Sequence, residues 1–155
     1  MLSARQLVSE IKLAVNEASE DLQEARVEIV SFDVSLKVVL EKTAGIGAQA
    51  SIGPIKVGAR KNSSEERASS MNITFIPKPL DAELQGSIGE ELSELIVTMA
   101  KEIQAVSDEY PEFGYSKSFI ELYFTITEKG DIKMLFEYDD KSQWVHSIKI
   151  YFSNM

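Results

Sequence analysis

Residues 27 to 40 alternate apolar and polar side chains, with a single slip of phase. Val27 and Ile29 alternate with Arg26 and Glu28; beyond Val30-Ser31 the apolar set becomes Phe32, Val34, Leu36, Val38 and Leu40, separated by Asp33, Ser35, Lys37 and Val39. Period two marks a strand with one face covered. The pattern predicts a long half-buried strand, bent near Val30-Ser31 where the phase changes.

The cover is an amphipathic helix. Ser3-Ala4-Arg5-Gln6 has the form of a capping box, and Leu7, Val8, Ile11, Ala14, Val15 and Ala18 recur at helical spacing, predicting a helix from about residue 4 to 20. After the long strand, residues 43–58 are rich in Gly and Ala and read as a flexible hairpin or bulged strand, with a weak strand at Ile55 and Val57. Residues 59–69 read as a polar loop, and 70–76 as a strand that Pro77-Lys78-Pro79 stops.

The same order then recurs. Ser87-Ile88-Gly89-Glu90 has the capping-box form, and Ile88, Leu92, Leu95, Ile96, Met99, Ile103 and Val106 make one apolar helical stripe, ending at Tyr110-Pro111. Three strands follow, carrying Ile120, Leu122, Phe124 and Ile126; then Ile132, Met134, Phe136 and Tyr138; then residues 144–152 with Ile148, Ile150 and Phe152 aligned. Glu128-Lys129-Gly130-Asp131 is the first hairpin turn. The expected fold class is α+β, as two helix-then-antiparallel-strand units, each helix packed on a sheet. Residues 1–78 form the first unit, 79–87 a linker and 88–155 the second. Ser31-Phe32 and Glu41-Lys42 recur at Ser118-Phe119 and Glu128-Lys129 with one offset, which suggests duplication. That offset is odd, however, and would put Phe32 and Phe119 on opposite faces of their strands.

At 155 residues the chain buries enough surface to fold without a disulfide or metal, and it has no Cys. A single histidine and no cysteine leave no transition-metal ligand set and no thiol nucleophile. His146 reads as a strand-face histidine. The acidic loops Asp139-Asp140 and 128–131 do not match a calcium loop. Gly45-Ile46-Gly47 with Gly53 is neither a dinucleotide fingerprint nor a phosphate loop. No catalytic residue, cofactor or metal is expected.

Charge excludes a further class. Residues 1–80 balance ten Lys/Arg against ten Asp/Glu, whereas 81–155 carry six against fifteen, so the net charge of −9 falls in the second half. Such a surface repels phosphate backbones, and no nucleic acid is expected as a ligand. Nor is a membrane: no stretch approaches the ~20 apolar residues of a spanning helix, and no secretory core is present. The expected compartment is the cytoplasm, where the Asn72-Ile73-Thr74 sequon is coincidental.

The first 80 residues resemble the trypsin-co-occurring domain, a small bacterial module found beside peptidase and NTPase components of conflict and immune systems. The resemblance lies in Leu7-Val8-Ser9-Glu10-Ile11 with its continuation to Ala18, Val27-Glu28-Ile29 leading into Val34-Ser35-Leu36-Lys37-Val38, a Gly/Ala-rich segment, a polar loop, and Met71-Asn72-Ile73-Thr74-Phe75-Ile76-Pro77. In the family the third strand is more aromatic and apolar than Ala48-Gln49-Ala50-Ser51-Ile52. The resemblance implies an adaptor or sensor role in bacterial defence, with no catalytic residues.

The expected function is a non-enzymatic protein–protein interaction module. It would self-associate and bind a protein partner such as a peptidase- or NTPase-containing effector. Candidate contacts are Ile46, Ala48, Ala50 and Ile52 in the Gly/Ala-rich segment, the basic Lys56, Arg60 and Lys61 beyond it, and the aromatics Tyr110, Phe113 and Tyr115. The alternative is an acidic inhibitor or immunity protein that blocks a basic toxin or peptidase. A small-ligand carrier is a third possibility.

Overall fold

A computed structural model describes residues 3–43, 45, 47–52, 69–77, 90–109, 112, 113, 115, 117–127, 129–136 and 144–154. Helix α1 (Ala4–Asp21) starts from the predicted capping box: the Gln6 amide donates to Ser3 Oγ, and the Ser3 amide to Gln6 Oε1. A 3₁₀ turn at Gln23–Ala25 and Arg26, which adopts a left-handed φ of 59°, lead into strand β1 (Val27–Thr43). Strands β2 (Gly47–Ile52) and β3 (Ser69–Phe75) follow, then helix α2 (Glu90–Glu109) and strands β4 (Ser118–Ile126), β5 (Ile132–Met134) and β6 (His146–Asn154).

The phase slip is a β-bulge. Ile29 pairs with Phe152 and Ser31 with the next residue of β6, Tyr151, so Val30 has no opposite number in β6. That extra residue moves the buried face from Val27 and Ile29 to Phe32, Val34, Leu36 and Val38, as the alternation requires.

The six described strands form one antiparallel sheet of order β2-β1-β6-β4-β5, with β3 also on β1. Residues Phe32, Asp33, Val34 and Ser35 pair with both β3 and β6, while Val38 pairs with both β2 and β3. β3 therefore lines one edge of β1, and β6 and β2 share the other, end to end. Val34, Ile148 and Leu122 fall in one cross-strand row, and Phe32, Ile150 and Ile120 in the next. These rows join α1 and α2 in a single core. The helices also pack on each other, and small buried residues, Ala14 and Ala18 of α1 and Ser93 and Ala100 of α2, suit a close approach.

The α+β class and antiparallel pairing agree with the sequence; the repeated unit does not emerge. Strands of both halves share a sheet and a core, because β6 from the second half pairs with β1 from the first. Among the described residues β1 has three partner strands and β4 has two, so their pairing is not duplicated. Phe32 is buried on the helix side whereas Phe119 is exposed on the other, as the odd offset demanded. The expected linker lies outside the described residues.

Two elements differ in extent. β5 stops at Met134, although the Leu135 amide still donates to the Tyr123 carbonyl; the chain then bends and Phe136 is exposed. On α2, the buried face is Leu92, Ser93, Ile96 and Ala100, so the predicted stripe is rotated and Val106 is left 69% exposed. No described helix is long and apolar enough to cross a membrane.

Candidate interaction surface on the helix-free face

Alternation that sends Phe32, Val34 and Leu36 under the helices sends Asp33, Ser35 and Lys37 to the opposite side. Cross-strand register sets beside them Ser70, Asn72 and Thr74 of β3, Ser147, Lys149 and Tyr151 of β6, and Phe119, Glu121 and Tyr123 of β4. None of these twelve positions is buried. These twelve positions make a continuous polar and aromatic surface across β3, β1, β6 and β4.

Its centre is Asp33. One carboxylate oxygen accepts from Thr74 Oγ1 at 2.6 Å and the other from the Tyr151 hydroxyl at 3.1 Å. Lys149 is the cross-strand partner of both Asp33 and Glu121. Its ammonium lies 4.1 Å from the Phe119 ring centroid and 5.5 Å from that of Tyr151. The two rings are tilted by 50° with centroids 5.9 Å apart, and Phe119 remains 53% exposed. Toward the β3 edge, Ser35 Oγ donates to Asn72 Oδ1 at 2.6 Å and Lys37 Nζ to Ser70 Oγ at 3.0 Å. Side chains held in this way lose little further rotamer freedom on binding, which lowers the entropic cost of a contact.

Of the residues singled out from sequence, Ile52 is fully buried and Ala50 packs against the core, because Ile52 pairs with Val38 on the helix side of the sheet. This takes Ile52 out of any exposed surface. Ala48 belongs to β2, but its side chain, like Ile46, Lys56, Arg60, Lys61 and Tyr110, lies outside the described residues. Phe113 follows α2 and is 79% exposed. Tyr115 is half-buried ahead of β4, where burial raises its hydroxyl pKa and Ser118 opposes the shift. Strands β1 and β6 separate β4 from β2, so these aromatics and the Gly/Ala hairpin do not share a strand pair.

Asp33, Thr74, Phe119, Lys149 and Tyr151 were not singled out by sequence. Their only signal is the outward phase of four strands, and their convergence depends on pairings between residues up to 118 apart in the chain.

His146, the first residue of β6, faces the core. It is fully buried, and its ring lies 5.4 Å from Phe124, centroid to centroid, at 39°. Nδ1 accepts from the Lys37 amide at 3.0 Å, and no partner of the buried Nε2 is described. Burial foremost, and the Lys37 charge, push its pKa from 6.5 down to about 4. An imidazole that accepts at Nδ1 carries its proton on Nε2. Among the described residues, no group of three or more His, Cys, Asp or Glu is placed to hold a metal.

Comparison with known protein families, curated proteins and solved structures finds no match to this chain.

Proposed function

We propose that this chain is a non-enzymatic protein-binding module that presents the helix-free face of its sheet to a partner protein. The observation that carries this reading is the ordered array around Asp33, in which Thr74, Tyr151, Lys149 and Phe119 are positioned by one another on a partly exposed surface. Exposed aromatics with a paired cation are efficient anchors for protein contact. The resemblance of residues 1–80 to the trypsin-co-occurring domain supports an adaptor or sensor role in a bacterial conflict or antiphage defence system, with a peptidase- or NTPase-containing effector as partner.

A photo-crosslinking residue at Phe119, compared with one at Thr98 on the exposed side of α2, tests the reading in the native host. Crosslinks to one protein partner from position 119, lost on Lys149→Glu, support it. A partnerless chain at both positions overturns it.

The inhibitor reading draws on α2, whose exposed positions include Glu90, Glu91, Glu94, Glu102, Asp108 and Glu109. It expects crosslinks from position 98 to a basic protein, in a complex whose association rate falls steeply with salt.

A further inference from the structure

β3 ends the sheet: among the described residues, no strand pairs its outer edge. The Lys37 amide points to the β6 side of β1, where His146 accepts it. Amide directions alternate along a strand, so Val34 and Leu36 address β3, and their partners Ile73 and Met71 answer them. The intervening Ser70, Asn72 and Thr74 therefore turn their N–H and C=O groups outward, to the unpaired edge.

Lys12 of α1 lies over the Phe75 ring, 4.4 Å from its centroid, but β3 has no edge protection of its own. Ser69–Phe75 contains no charge and no proline, and its register with β1 runs unbroken, whereas edge strands are ordinarily protected by lysine, proline or a bulge. Met71, Ile73 and Phe75 are only half-buried, although their β1 partners Leu36, Val34 and Phe32 are fully so. The apolar rows run out at β3 and stay unfinished.

We propose that β3 pairs antiparallel with β3 of a second copy of this chain, across a two-fold axis at Asn72, joining two six-stranded sheets into one. The residue classes are symmetric about that position: Met71 and Ile73 are apolar, and Ser70 and Thr74 carry hydroxyls. Two-fold pairing sets Asn72 against Asn72, Met71 against Ile73 and Ser70 against Thr74, so each apolar row continues and the outward amides meet carbonyls. Charge fits as well. Lys37 bonds Ser70 and Asp33 bonds Thr74, so the axis brings the lysine of each copy toward the aspartate of the other. An uncharged strand is also where copies of a chain of net charge −9 meet with least repulsion. One strand pair buries less than a standard interface, and the dimer dissociates on dilution. The pairing is independent of partner binding on the helix-free face, and either can fail alone.

The test is sedimentation of the full chain from low micromolar to near-millimolar concentration, with Asn72→Lys and Asn72→Asp chains alone and mixed. Wild type is expected to dimerise with concentration. Each variant places like charges opposite each other and weakens the dimer about tenfold or more, and the mixture restores it. Thr98→Lys, with the same charge change away from β3, is expected to match wild type. Hydrogen exchange on wild type reads the same interface without substitution: the Asn72 amide becomes more protected as concentration rises. A wild-type monomer throughout, variants that dimerise as well as wild type, a mixture that stays monomeric, or Asn72 exchange independent of concentration each overturns the proposal.

Discussion

The backbone amide of Lys37 donates to Nδ1 of His146 at 3.0 Å, between the last β1 residue paired with β6, Ser35, and the first paired with β2, Val38. The imidazole thereby satisfies a strand donor at the junction where one edge of β1 changes partner. A buried amide left without an acceptor costs about 1–3 kcal/mol.

Burial of this imidazole, helped by the Lys37 charge, makes stability depend on acid. His146 titrates near 4 when folded and near 6.5 otherwise, so protons bind the unfolded chain preferentially between those values. Its contribution is complete above pH 6.5 and is lost as pH falls toward 4, by roughly 3 kcal/mol in all. Denaturant melts of wild type and His146→Leu across this window measure it. The variant is expected to be about 1–3 kcal/mol less stable at pH 7 and to lose the histidine's share of the slope. An unchanged slope would show that carboxylates, not His146, govern the response.

Deleting Val30 tests the bulge. Without the extra residue, Val27 and Ile29 or the whole Phe32–Val38 set must face the wrong side of the sheet. Exposure of Val27 and Ile29 alone costs about 3–6 kcal/mol, since each buried aliphatic contributes about 1.5–3 kcal/mol. Val30→Ala, at a side chain 48% exposed, is expected to change stability by less than about 1 kcal/mol. Comparable melting of the two variants would contradict the register.

Within the polar face, Thr74 and Tyr151 share Asp33 as acceptor. Tyr151→Phe and Thr74→Val are each expected to cost about 1 kcal/mol, and neither more than a few tenths once Asp33 is Ala. A double-mutant cycle for each pair checks this. Full additivity would remove the case for an organised array.

Arg26 holds a left-handed conformation with φ of 59°, which costs a non-glycine residue about 1–2 kcal/mol. Arg26→Gly relieves that strain at some loss of unfolded-state restriction, for an expected net gain of up to about 1 kcal/mol in thermal unfolding. Arg26→Val is expected to destabilise, as β-branching is least tolerated there.

Local signals were the legible ones. The Ser3–Gln6 box, the phase slip at Val30 and the strands around Phe32, Ile73 and Phe124 are written in spacings of a few residues, and each appears where its spacing places it. The single sheet was not legible, because it depends on β1 meeting β6, and alternation states which face is apolar without naming the neighbour. Ile52 misled for a related reason. In a Gly/Ala-rich stretch it looked exposed, yet pairing with Val38 carries it into the core. The Asp33 cluster combines both difficulties, since polar residues on an outward phase look alike until register brings particular ones together.

β6 comes last among the strands in chain order yet lies between β1 and β4. On a translating ribosome, β1 emerges about a hundred residues before its central neighbour, a wait of roughly 5–20 s at ordinary elongation rates. Throughout that wait one edge of a seventeen-residue strand has its principal partner missing. Until His146 and the residues after it arrive, β1 can pair only with β2 and β3, and the apolar rows that end in Ile148 and Ile150 stay incomplete.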